Sequence, residues 1–164
     1  MTESLLIRPA TVNDVDTIVA FNAAMALETE HRRLDTLRLR QGVLALLTTP
    51  AHGVYFVAEL QTATRHWLVG QLMITFEWSD WRNGVFWWIQ SVYVEPTHRR
   101  KGIFRSLQRH IVAKAKADSR VCGIRLYVEQ ANYQAQLVYQ RVGIAPSRYT
   151  VFEQDFVLPG HVQS

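Results

Sequence analysis

The sequence predicts a mixed α/β sheet with helices on both faces, built as one domain. Three observations carry that reading. Apolar residues recur at helical spacing before residue 50, gather into strand-like runs over 54–94, and return to helical spacing from 102. The resulting order is strand, two helices, three strands, helix, strand, helix, strand. The length of 164 residues, with 48% apolar and 20% charged, suits one core, and there is no linker, repeat or low-complexity tract.

The elements follow in order. Leu5–Ile7 reads as an opening strand, ended by Arg8 and Pro9. Thr11 or Asn13 then caps a helix that carries Val15, Ile18, Val19, Met25 and Ala26 and ends near Leu27. A second helix spans Leu34–Leu47, with Leu37, Val43, Leu44 and Leu47 on its apolar face. Thr48–Gly53 breaks it. Val54–Leu60 and Trp67–Phe76 are β-rich runs. Trp78–Gly84 reads as a turn, and Phe86–Val94 as a central strand covered on both sides, closed by Pro96. Trp87 and Trp88 then point to opposite faces of that strand and are expected in the core. Gly102–Ala117 is an amphipathic helix, Gly123–Val128 a half-buried strand, Asn132–Val142 a helix, and Tyr149–Leu158 a last strand.

Composition narrows the function. No apolar run reaches the roughly 18 residues of a membrane span, and MTESLLIRPA lacks the features of a secretory signal. Cys122 is the one cysteine, so no internal disulfide forms and the residue reads as a small buried apolar group. The expectation is a soluble cytoplasmic protein. The six histidines show no ligand spacing, so no metal is expected. Charge is uneven: residues 1–94 hold seven Lys/Arg against nine Asp/Glu, whereas 95–164 hold eleven against five. Residues 96–117 carry seven basic side chains and no acidic one, a field that attracts an anion or simply faces water.

The chemistry concentrates between Ser91 and Leu107. A buried strand leads through a basic loop, Arg99-Arg100-Lys101, to Gly102 and a helix. The first turn of a helix presents unpaired N–H groups and a positive dipole end, and glycine permits close approach of a ligand. That is a phosphate cradle, or a helix start that needs a glycine to turn. The P-loop and G-x-G nucleotide patterns are both absent.

Val94-x-Pro96-x-x-Arg99-x-x-Gly102-x-Phe104 resembles the acetyl-CoA-binding motif of the GNAT N-acetyltransferase superfamily, in which Gln or Arg is followed at three residues by Gly and at five by Gly or Ala. Downstream, Asn132-x-x-Ala135-x-x-x-Tyr139-x-x-x-Gly143-Ile144 resembles the second motif of that superfamily. Phe104 stands where the family has a small residue, and its ring is expected to turn into the core. Ile144 replaces a Phe, and Gln90 stands where some relatives carry a Glu proposed as base.

The resemblance implies a GNAT fold in which the strands 88–94 and 123–128 splay apart. Acetyl-CoA would enter the gap, its pantetheine arm bonding the backbone of Val92, Tyr93 and Val94 and its pyrophosphate lying on the N–H groups of Arg100, Lys101, Gly102, Ile103, Phe104 and Arg105, with Arg99 adding charge and Asn132 touching the arm. The reaction implied is direct acetyl transfer to a primary amine of a small molecule or peptide. Tyr139 is the implied general acid, although helical spacing alone reads it as a core tyrosine. An N–H near Val92 would stabilise the oxyanion. The base is unassigned among Glu28, Glu30, Glu77 and Asp80. Glu28 and Glu30 are amine-attracting candidates, and Trp78 and Trp81, beside Glu77 and Asp80, suit a cation or equally a contact between two copies. A homodimer is the base expectation. An inactive acyl-CoA-binding module on the same fold is the alternative. A nucleic-acid binder is the weaker one, because the basic stretch lacks interleaved aromatics.

Overall fold

Alternation along the strands decides which layer each residue joins. The computed structural model describes residues 3–158. Its strands are β1 (Ser4–Pro9), β2 (Val54–Gln61), β3 (His66–Ser79), β4 (Gly84–Val94) and β5 (Val121–Leu126), and its helices α1 (Val15–Glu30), α2 (Thr36–Thr48), α3 (Ile103–Ala117) and α4 (Tyr133–Arg141). The strands form one sheet in the order β1-β2-β3-β4-β5. The first four run antiparallel, and β5 lies parallel to β4.

Tyr55 and Val57 face α1 and α2, packing with Val15, Ile18 and Val43. Phe56, Ala58, Leu72 and Ile74 face the other way, against Ile103, Leu107 and Ile111 of α3. The period of two in β2 and the helical period in α3 thus meet in one core layer. Two caps fix the helix starts. Thr11 and Asp14 form a capping box ahead of α1, and the Asp35 carboxylate accepts from the Arg38 N–H at 2.7 Å to begin α2.

Fold class agrees with the sequence reading, and so does the element order as far as the last helix, with corrections beyond it and at the ends of elements. The expected strand over Tyr149–Leu158 does not form. Asp155 Oδ1 instead accepts from the N–H groups of Val157 and Leu158, both at 2.7 Å, and Ser147 Oγ accepts from Tyr149 N–H at 3.1 Å. Such local bonds compete with a strand ladder. β5 ends at Leu126, short of Val128. Trp78 lies in β3 rather than in the turn, because β3 runs on to Ser79 and pairs Trp78 with Val85. Trp87 and Trp88 are half-buried rather than central: Trp87 borders the α3-side core, and Trp88 stacks on Tyr127 with ring centroids 4.4 Å apart. Among the described residues no helix is long and apolar enough to cross a membrane.

Candidate active site

The site begins where two strands part. β4 and β5 stay paired only as far as Ile89 and Leu126, whereas β4 continues to Val94. At that point β4 also bulges. Gln71 lies opposite Tyr93 but Met73 lies opposite Gln90, so β4 holds one residue more than β3, and Ser91 adopts a left-handed backbone with φ 49°. A bulge of this kind re-aims side chains and frees backbone groups from the ladder.

The bulge is braced from beneath. Fully buried Gln71 donates from Nε2 to Asn22 Oδ1 at 2.7 Å and to the Ser91 carbonyl at 3.3 Å. Asn22 Nδ2 donates in turn to the Tyr55 hydroxyl at 2.9 Å. Burial pushes the Tyr55 hydroxyl above the usual phenol range. These three residues were not among the sequence candidates. The available signal was a polar side chain in each of two otherwise apolar runs, Asn22 in α1 and Gln71 in β3.

Past the gap, the chain turns into α3. Arg100 (φ 62°) and Gly102 (φ 81°) are both left-handed, and Gly102 occupies the N-cap position. No side chain caps this helix and no acid lies in its first turn. The first intrahelical bond runs from Ser106 N–H to the Gly102 carbonyl at 3.0 Å. The N–H groups of Ile103, Phe104 and Arg105 therefore keep the unpaired status of a helix start. A Cβ at Gly102 would meet nothing within 4 Å, so the approach to those groups is open.

In front of them lies a cavity of about 390 Å³. Val92 and Val94 form one wall, Ile103 and Phe104 another, and Ala135, Val138 and Tyr139 of α4 a third, with His98, Arg99, Arg100 and Arg105 at the basic end. Phe104 is corrected here. Its ring stays half-buried in the cavity wall, edge-on to Tyr139 at 5.6 Å, because Ile103, Leu107 and Ile111 already fill the core side of α3. Burial raises the Tyr139 phenol above its ordinary range, which keeps it protonated near neutrality. Among the described residues its hydroxyl makes no hydrogen bond that would engage that proton.

A family model described as the acetyltransferase (GNAT) family matches residues 17–144. The chain belongs to that family. A possible acetyltransferase from Clostridium difficile 630 shares 42% identity, covering 94% of this chain and 99% of its own, with a TM-score of 0.84. A predicted acetyltransferase from Clostridium acetobutylicum, solved with acetyl-CoA, is 18% identical over 92% of this chain and 96% of its own, with a TM-score of 0.72. An aminoglycoside N-acetyltransferase in complex with CoA is 14% identical over 96% of this chain and 98% of its own, with a TM-score of 0.70. At those identities the last two share the fold alone. No curated protein matches the sequence.

The remaining candidates of this GNAT chain fall in several places. Tyr93 faces α1, its ring 5.1 Å from Phe21 and its hydroxyl 3.4 Å from Glu28 Oε1. Burial and the Glu28 charge raise its pKa. Glu28 also pairs with Arg99 at 2.7 Å, and Arg99 Nε donates to the Val94 carbonyl at 2.8 Å. Glu28 and Arg99 therefore tie the end of α1 to the end of β4. Lys101 is exposed and outside the cavity wall. Asn132 caps α4 by accepting from Ala135 N–H at 3.0 Å. Gln90 donates to Thr75 Oγ1 at 2.6 Å.

Glu77 accepts from the Trp88 indole N–H and from Arg125 at 2.8 Å. Asp80 accepts from Trp81 N–H at 2.8 Å. Trp78 stands five register positions from the bulge, about 16 Å along the strand. Glu30 alone of the four carboxylates lines a second cavity, of about 440 Å³, between α1, α2 and the bulge. Ser91 borders that cavity and Val92 the first, so the two flank the same bulge.

Proposed function

We propose that this chain transfers an acetyl group from acetyl-CoA to a primary amine by direct attack. The observation that carries the reading is the uncapped, acid-free start of α3 opening onto an apolar cavity that holds Tyr139. The parts fit the cosubstrate's chemistry. Unpaired N–H groups of Ile103, Phe104 and Arg105 suit a pyrophosphate, and Arg100 and Arg105 add positive charge at the same end. Val92, Val94, Phe104 and Val138 offer apolar walls to an uncharged arm. Acetyl-CoA would supply an activated thioester whose acyl carbon forms a C–N bond as its C–S bond breaks. The solved GNAT relatives that hold acetyl-CoA or CoA support this choice of donor.

Each residue then has a task. Backbone groups of Val92 and Tyr93, left without a β5 partner, would hold the arm, whereas the Val94 carbonyl already serves Arg99. An N–H at the bulge would receive the developing oxyanion. Tyr139 would give its proton to the departing sulfur, and the amine would arrive neutral and lose one proton after attack. Asn132 would act through the placement of α4.

The test is release of thiol from acetyl-CoA in the presence of amines, with Tyr139→Phe as its companion. Turnover is expected to fall about 100-fold in that variant, while acetyl-CoA affinity by calorimetry changes less than about threefold. Unchanged turnover would remove Tyr139 from the acid role, and no acetyl-CoA binding by the wild-type protein would overturn the reading.

A further inference from the structure

The cavity between α1 and α2 carries information about the acceptor. Its lining is mostly apolar, with Met25, Leu39, Val43, Leu46, Met73 and Leu158 among its walls. The charged residues in the lining are Glu30 and Arg32. Arg32 is placed by the backbone. His31 takes a left-handed conformation (φ 51°) at the end of α1, where glycine is usual, and the Arg32 N–H returns to the Ala26 carbonyl at 3.2 Å. The Arg32 side chain is only 20% exposed. It forms a loose ion pair with Glu30 at 3.9 Å, beyond hydrogen-bond range, and Glu30 is itself mostly exposed. Asp155, whose Oδ1 accepts from the Val157 and Leu158 N–H groups, lies within electrostatic reach of Arg32 without a hydrogen bond to it. Among the described residues no acceptor bonds the Arg32 guanidinium, although it has five donors in a fork that matches a carboxylate.

We propose that the acceptor is an amine with an apolar body and a carboxylate, the chemistry of an apolar amino acid, whose carboxylate pairs with Arg32 in the α1–α2 cavity. The inference rests on the acetyl-transfer reading and narrows its acceptor. A cavity of about 440 Å³ takes a small molecule. A polyamine or an aminoglycoside would need several carboxylates, and this lining offers only Glu30, with a guanidinium beside it. An apolar amine without an acid group would leave the Arg32 fork with no hydrogen-bonded acceptor, only the loose 3.9 Å pairing with Glu30.

The experiment compares leucine with isoamylamine, the same body without its carboxylate, and with spermidine, in thiol release from acetyl-CoA. Binding of N-acetylleucine to the protein is measured separately by calorimetry. Leucine is expected to exceed isoamylamine at least about tenfold in kcat/KM, and that ratio is expected to fall toward one in Arg32→Gln through a raised leucine KM. Arg32→Lys, which keeps the charge, should restore part of the preference, and N-acetylleucine binding should weaken about tenfold in Arg32→Gln. Circular dichroism and thermal midpoints check that both variants fold. Preference for isoamylamine or spermidine, no turnover of leucine by protein that binds acetyl-CoA, or an Arg32→Gln variant with an unchanged ratio would overturn the acceptor assignment. Absence of acetyl-CoA binding would instead overturn the parent reading.

Discussion

At the scale of single residues, the ion cluster around Arg8 shows how a local arrangement sets a global property. Arg8 donates to Asp14 at 2.8 Å and 3.0 Å and to Glu59 at 2.8 Å and 2.5 Å, joining β1, β2 and the turn before α1. Burial pushes Asp14 upward, but bonds from Arg8 and Thr11 outweigh it and hold the carboxyl below its ordinary 3.8. Glu59 is held below its ordinary 4.5, first by the Gln61 amide and then by Arg8, against the opposing effect of burial. Carboxyls depressed by folding stabilise the native state above their unfolded pKa values, and that contribution is lost as pH falls through the folded ones. Stability should therefore decline on acidification from about pH 4.5 downward.

Arg8→Met would leave two carboxylates, each about 10% exposed, without their cation, at a cost of about 3 kcal/mol at pH 7. In the variant both carboxyls would titrate higher than in the wild type, Glu59 still held down by Gln61, so the gap from wild type should narrow toward pH 3. Urea unfolding at both pH values measures this, and a gap independent of pH would contradict it.

At the scale of elements, the loop into α3 is the part whose shape the ligand would read. Gly102 has open space where a Cβ would go, so its constraint is the left-handed backbone alone. Gly102→Ala should then cost about 1–2 kcal/mol and weaken acetyl-CoA binding as the first turn shifts, measured by thermal unfolding and calorimetry. Unchanged affinity and stability would show that the loop does not depend on that conformation. The strand–loop–helix of 88–117 was legible in the sequence because its pattern is local: an apolar run, Pro96, a basic loop, Gly102, then helical spacing. The tail at 149–158 misled because its apolar residues have strand spacing, whereas Asp155 and Ser147 bond the nearby backbone and leave Phe152 at 94% exposure. Phe104 misled because its direction depends on which side of α3 the core has already filled.

At the scale of the whole molecule, the uneven charge has a structural meaning. The basic stretch runs from the loop before α3 to its last turn, on the side of the sheet opposite the α1–α2 cavity, and Arg99, Arg100 and Arg105 of it line the cavity at the helix start. The sheet thus separates the cavity at the start of α3 from the cavity between α1 and α2, and the β4 bulge is where they meet. The two family motifs made the first cavity legible, since each lies within one continuous stretch, 94–104 and 132–144. The second cavity was hidden in the sequence. Asn22, Arg32, Tyr55, Gln71 and Ser91 come from α1, the α1–α2 connection and three strands, and only tertiary packing brings them together. The Glu28–Arg99 pair was hidden for the same reason, being separated by 71 residues.

The central claim is that the start of α3 receives a diphosphate while Tyr139 faces the acyl end. A crystal structure with coenzyme A bound tests it most directly. The account predicts the diphosphate oxygens within hydrogen-bond distance of the N–H groups of Ile103, Phe104 and Arg105, and the thiol in the gap between β4 and β5 beside the Tyr139 hydroxyl. A diphosphate bound elsewhere, with the Phe104 ring closing the cavity, would contradict it.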